Sequence, residues 1–103
     1  MAYKVIWTNS ARADAESIIR YIAVDLDSPS AAVEHLDAFE DAAREMGENP
    51  LLHAVSALPS LELRALRPCF VKRYVVLYSF DGDQVTVHRI FHMLQDYAKI
   101  IER

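Results

Sequence analysis

Residues 71 to 92 constrain the fold of this chain more than any other stretch. Two runs rich in β-branched and aromatic residues, Val71 to Phe80 and Gln84 to His92, flank the dipeptide Asp81-Gly82. That dipeptide readily supplies the two positive φ angles of a tight turn, so the spacing predicts an antiparallel β-hairpin. In the first run Tyr74, Val76, Tyr78 and Phe80 fall on one face and Val75 and Leu77 on the other. A strand apolar on both faces belongs in the middle of a sheet. The second run ends at His92 and is followed after Met93-Leu94-Gln95 by Asp96-Tyr97, so the hairpin delivers polar side chains to one end.

The residues before the hairpin provide what covers it. Tyr3 to Thr8 alternates as a short strand, and Asn9-Ser10 reads as a helix cap with Asp14 and Glu16 in the first turns, where carboxylates suit the positive end of the helix dipole. Ala15, Ile18, Ile19, Ile22 and Leu26 recur at helical spacing, which predicts a first helix from about Ala11 to Asp25. Ser28-Pro29 starts a second helix whose buried stripe is Ala32, Leu36, Phe39, Ala43 and Met46, stopped by Gly47 and Asn49-Pro50. The short link makes the two helices an antiparallel pair. Residues 48 to 60 read as a loop, Leu61 to Arg67 alternates like a strand, and Tyr97 to Ile101 suggests a last helical turn. The order β-α-α-β-β-β predicts an α+β two-layer domain over residues 1–103, with a helical hairpin on one face of a mainly antiparallel sheet.

Length and composition narrow the setting. A chain of 103 residues can bury a core without staples, and its single cysteine, Cys69, has no partner for an internal disulfide. Beside Pro68 and Phe70 that thiol reads as a small packing residue. The first residues lack a hydrophobic signal region, and no apolar run is long enough to span a bilayer. These features predict a soluble, reducing, cytoplasmic setting and no membrane contact. The net charge of −4 argues against a surface that grips nucleic acid everywhere. Its distribution is uneven: residues 1 to 60 hold ten acids and four bases, residues 61 to 103 five acids and seven bases. Arg64, Arg67, Lys72 and Arg73 fall within ten residues with no acid between them, either an anion site or a charged strand edge that discourages aggregation.

Four histidines are candidates for chemistry. His88 and His92 are expected on the same strand face, separated by roughly 13 Å of strand and so too far apart to share a metal. His35, on a helix, and His53, in a loop, have no acidic or thiol partner at a ligand spacing, and both read as structural. Neither a metal nor another cofactor is expected. His92 is the titratable group best placed for acid or base work.

The element order, with Tyr74-Val-Val-Leu-Tyr78, Asp81-Gly82-Asp83, Val85 to His92 and Asp96-Tyr97, resembles the RelE/ParE superfamily of toxins from bacterial type II toxin-antitoxin modules. The resemblance covers nearly the whole chain and implies that superfamily's two-layer fold. Some members cleave ribosome-bound mRNA without a metal, others poison DNA gyrase, and both are silenced by a small antitoxin. Read through the ribonuclease branch, it implies that His92, Tyr97 and Arg64 are catalytic, with Arg67, Lys72, Arg73 and Arg89 contacting RNA or another target. Arg89 is equally suited to pair with an acid. Two positions depart from that branch: Val75 stands where many ribonucleases have arginine, and Met93-Leu94-Gln95 replaces a basic tail. The expected function is growth arrest through mRNA cleavage, with gyrase poisoning or a degenerate toxin that only binds its antitoxin as alternatives. The expected partners are a cognate antitoxin lying along the helical hairpin toward Arg64 to Arg73, in a hetero-oligomer, and ribosome-bound mRNA or DNA gyrase as target.

Overall fold

The computed structural model describes the backbone of residues 2 to 102 and the side chains of residues 2 to 101. The expected domain span therefore runs past the described residues at Met1 and Arg103. The elements are β1 (Lys4–Trp7), α1 (Asn9–Arg20) continuing as a π-helical segment (Tyr21–Asp25), α2 (Pro29–Glu48), α3 (Pro59–Leu63), β2 (Arg67–Val71), β3 (Tyr74–Phe80), β4 (Gln84–His92) and α4 (Tyr97–Glu102). The four strands form one mixed sheet in the order β1-β4-β3-β2, with β1 parallel to β4 and the other pairs antiparallel. This is the α+β arrangement the sequence predicts.

The sheet has two apolar faces, and different elements cover them. Phe39 and Met46 of α2 and Ala11, Ile18 and Ile19 of α1 pack on Val76, Tyr78, Val85, Val87 and Ile90. On the other face Leu61 and Leu66 close over Val75, Leu77 and Phe91, with Tyr97, Ile100 and Ile101 of α4 against them. Gly47 does not stop α2, which runs one residue further. It lets the helix approach β1: a Cβ there would lie 2.9 Å from the Tyr3 carbonyl oxygen and 2.9 Å from a Val5 methyl, where the Tyr3 amide donates to the Gly47 carbonyl at 2.7 Å.

Several local expectations are revised. The cap of α1 is Thr8 rather than Asn9-Ser10; its Oγ1 accepts from the Ala11 amide at 3.0 Å. Leu61 to Arg67 is not a strand. Pro59 opens the short helix α3, Leu63 is 90% exposed while Leu61 and Leu66 are fully buried, and Ala65 at φ 53° ends the turn. The alternation of leucines there mimics a strand period without serving one. The strand is displaced to Arg67–Val71, and a second hairpin turn at Lys72-Arg73 interrupts what reads as one run from Val71. Lys72 takes φ 53° although it is not glycine, so ordinary turn chemistry gives no warning of it. At the predicted hairpin only Gly82 has positive φ, 97°. Asp81 contributes through its carboxylate, which accepts from the Asp83 and Gln84 amides at 2.9 Å each. Those bonds, Gln84 first, hold its pKa below the ordinary value.

A one-residue bulge in β4 positions the remaining side chains. Leu77 pairs with Arg89 but Tyr78 pairs with Val87, so His88 is left without a partner across the strand. Val85, Val87 and Ile90 consequently all reach the helical face although their spacing is not uniform. The bulge also overturns the expectation that His88 and His92 share a face: His88 joins the outer face and His92, opposite Tyr74, the helical one. Among the described residues, no group of three or more His, Cys, Asp or Glu side chains is placed to hold a metal ion, and no helix is long and apolar enough to cross a membrane.

Candidate functional site

On the helical face, β4 and the β2–β3 turn end together beneath the junction of the π segment with α2. The result is a groove of about 690 Å³ whose walls include Tyr21, Leu26, His35 and Tyr74, with Lys72, Arg73 and His92 at one end. The two cations come from the hairpin turn and the imidazole from the neighbouring strand end, so strand register alone brings the three together. Tyr74 lies between two histidines in edge-to-face contact, 5.9 Å from His35 and 5.3 Å from His92 between ring centroids. Burial first, then the Tyr21 hydroxyl nearby, raises the Tyr74 pKa, so Tyr74 is a neutral donor at physiological pH.

The hydrogen bonds fix what each histidine presents. His35 Nδ1 donates to the Ala31 carbonyl at 2.7 Å, because a carbonyl oxygen can only accept. His92 Nδ1 accepts from the Leu94 amide at 3.1 Å, so in its neutral form the proton sits on Nε2. The turn after β4 is closed further by the His92 amide donating to Gln95 Oε1 at 2.8 Å and the Gln95 amide donating to the His92 carbonyl. Held this way, neutral His92 offers the groove a donor rather than a lone pair. Lys72 and Arg73 line the same end of the groove, so that end carries two cations beside this donor.

The other expected site residues are elsewhere. Tyr97 stacks on Phe91 over the outer face, with ring centroids 6.3 Å apart and planes 16° from parallel. Arg64 follows α3 and borders a small outer-face pocket with His88 and Arg89. At the open edge of β4 His92 also lines a pocket with Asp14, Arg89, Phe91 and Ile100, and Tyr97 and Arg64 are not among its walls. Arg67 is tied down, its terminal nitrogen donating to the His53 carbonyl at 2.5 Å. Arg89 donates through Nε to Asp14 at 2.7 Å and through a terminal nitrogen at 3.2 Å, and its guanidinium lies 4.6 Å from the centre of the Phe91 ring. The same Asp14 carboxylate accepts from the Ile90 amide at 2.9 Å, capping the stretch of β4 that β1 is too short to pair. Asp14 thus holds one edge of the Arg89 guanidinium in an ion pair that the sequence also allows.

The match to known proteins agrees with this architecture. Residues 5–97 match the family described as the ParE toxin of the type II toxin-antitoxin system, parDE. The chain belongs to the ParE toxin family. Among solved structures this ParE-family chain is similar to one from the chromosomal ParDE toxin-antitoxin system of P. aeruginosa, with a TM-score of 0.70 and 18% identity, covering 88% of this chain and 96% of that one. At that identity the likeness concerns the fold. No curated protein matches the sequence.

Sequence reasoning missed His35, Tyr21 and Tyr74 as groove residues and Ser79 with His88 as a polar pair on the outer face, where Ser79 Oγ and His88 Nε2 are 2.7 Å apart. The available signal for His35 was its helical spacing from Phe39, which places both toward the sheet. For His88 no such signal exists, because the bulge that reorients it leaves no mark in the residue pattern.

Proposed function

We propose that this ParE-family chain is a single-domain cytoplasmic toxin that arrests growth by binding DNA gyrase, and that it does not cut mRNA. What supports this reading is that neither pocket lined by His92 is lined by Tyr97 or Arg64. In-line cleavage at a 2′-hydroxyl needs a base, an acid and cationic stabilisation converging on one phosphate, and Tyr97 and Arg64 line neither of the two pockets that His92 lines. The tautomer of His92 supports it too, since its acceptor nitrogen is already engaged by Leu94. Val75, at the position where many ribonucleases carry arginine, is fully buried in the outer core.

The resting partner in this proposal is a cognate antitoxin with apolar side chains for the groove and a carboxylate for its Lys72, Arg73 and His92 end. Arg67 lies at the far end of β2 from the Lys72-Arg73 turn and donates to the His53 carbonyl, so it takes no part in this proposed contact. Expression of the chain alone should arrest growth, and the purified protein should inhibit gyrase supercoiling while leaving mRNA intact in a translation extract. Cleavage of ribosome-bound mRNA that disappears in His92→Gln would replace this reading with the ribonuclease one. A chain that neither inhibits gyrase nor cuts mRNA, yet still co-purifies with its antitoxin, would be a degenerate toxin.

A further inference from the structure

On the outer face, away from the groove, the first turn of α1, the end of α3, the bulge of β4 and α4 enclose a second, smaller pocket of about 220 Å³. Its polar lining is Thr8, Ser10, Arg64, His88 and Arg89, and α4 supplies an apolar wall. Arg64 and Arg89 both line the space, and among the described residues no Asp or Glu does. Among the described residues no carboxylate bridges to Arg64. Asp14 occupies Nε and one terminal nitrogen of Arg89, so the second terminal nitrogen takes no part in that pair. The Thr8 hydroxyl is committed, donating to the His88 carbonyl at 2.8 Å while accepting from Ala11. Ser10 is exposed at the rim.

We infer that this pocket binds a phosphate group, held between the Arg64 and Arg89 guanidiniums and the Ser10 hydroxyl. Planar guanidinium forks match the oxygens of a phosphate; Arg64 has no acidic partner among the described residues, and Asp14 holds only one edge of Arg89. The volume is below the several hundred cubic ångströms typical of sites for drug-sized ligands. It therefore suits a compact group, either free phosphate or one phosphodiester of a nucleic-acid backbone passing over the surface. His88 fits this environment: burial first, and the Arg64 charge second, lower its pKa, so the imidazole is neutral and its pairing with Ser79 is undisturbed. The inference does not depend on gyrase as the target, because the site is complete within this chain.

The test is a titration of the isotopically labelled toxin by NMR, with inorganic phosphate and separately with a short DNA duplex, against a sodium chloride control of equal ionic strength. Saturable shifts centred on Ser10, Arg64 and His88 are expected with phosphate. Arg64→Gln, at an exposed position, should weaken binding by roughly tenfold, as loss of one charge-assisted contact does, and Lys4→Gln, exposed and outside the pocket, should leave it within about twofold. Tighter binding of the duplex than of inorganic phosphate identifies the backbone as the source; equal or weaker binding identifies free phosphate. Shifts that match the chloride control, that centre on Lys72 and Arg73, or that survive Arg64→Gln unchanged would overturn the assignment.

Discussion

Replacing Asp14 with alanine removes three hydrogen bonds at once: two from Arg89 and one from the Ile90 amide. The ion pair is partly screened, with 32% of the Arg89 side chain and 17% of the Asp14 side chain exposed, so its share is about 1 kcal/mol, the upper end for pairs reached by solvent. The Ile90 amide is different in kind, because β1 ends at Trp7 and no strand stands ready to accept from it. Leaving it unpaired costs about 1 kcal/mol more. The sum, about 2 kcal/mol, should lower the melting temperature by roughly 10 °C in a domain of this size and shift the urea midpoint with little change in slope. Asp14→Asn separates the two parts. Its amide oxygen still accepts from Ile90 while the charge is lost, so it should recover about half of the stability, and hydrogen exchange at Ile90 should stay slow in Asn but not in Ala. If Asp14→Ala costs less than about 0.5 kcal/mol, or Asn is as damaging as Ala, the carboxylate does not seal the strand edge as argued.

Gly47→Ala should destabilise by about 1 to 3 kcal/mol because the new methyl meets the Tyr3 carbonyl oxygen and a Val5 methyl at 2.9 Å; a neutral result in urea unfolding would mean that α2 and the chain around β1 are less closely packed than described. Tyr78→Phe should cost about 1 kcal/mol and raise the protease sensitivity of residues 50 to 55, since the buried Tyr78 hydroxyl donates to the Pro50 carbonyl at 3.0 Å; unchanged cleavage would contradict that anchoring role. His88 has a folded pKa below its ordinary 6.5, so between the two values the unfolded chain binds more protons and stability falls as pH drops below about 6.5. His88→Gln should flatten that part of the stability curve, and a curve that keeps its slope would assign the acid sensitivity elsewhere.

How much of this was legible in the residues varies with what each signal depends on. Helix stripes such as Ala32, Phe39, Ala43 and Met46 are set by local periodicity and emerge buried as expected, and the Asp81-Gly82 hairpin is set by local turn chemistry. Leu36 and Leu26 carry the same periodicity yet remain 40% and 54% exposed, because a stripe says which face is apolar and not how far the partner extends. The turn at Lys72-Arg73 is imposed by pairing of β2 with β3 rather than by residues that favour it, and so it was invisible. The candidate site suffered most. Assigning His92, Tyr97 and Arg64 to one constellation required knowing which sheet face each occupies, and that depends on the bulge at His88 and on α4 folding back over Phe91.

That bulge makes His88 a supernumerary residue in β4. Every other residue from Val85 to His92 has a partner on β3, and removing His88 would leave a regular ladder in which Val85, Val87, Ile90 and His92 still point toward the helices. A three-nucleotide deletion at this codon is therefore a length change the strand can absorb without turning inside out, whereas deleting Arg89 together with His88 would reverse Ile90, Phe91 and His92. Freed from the ladder, position 88 can change without consequence for strand phase, and its side chain is held on the outer face by Ser79 instead.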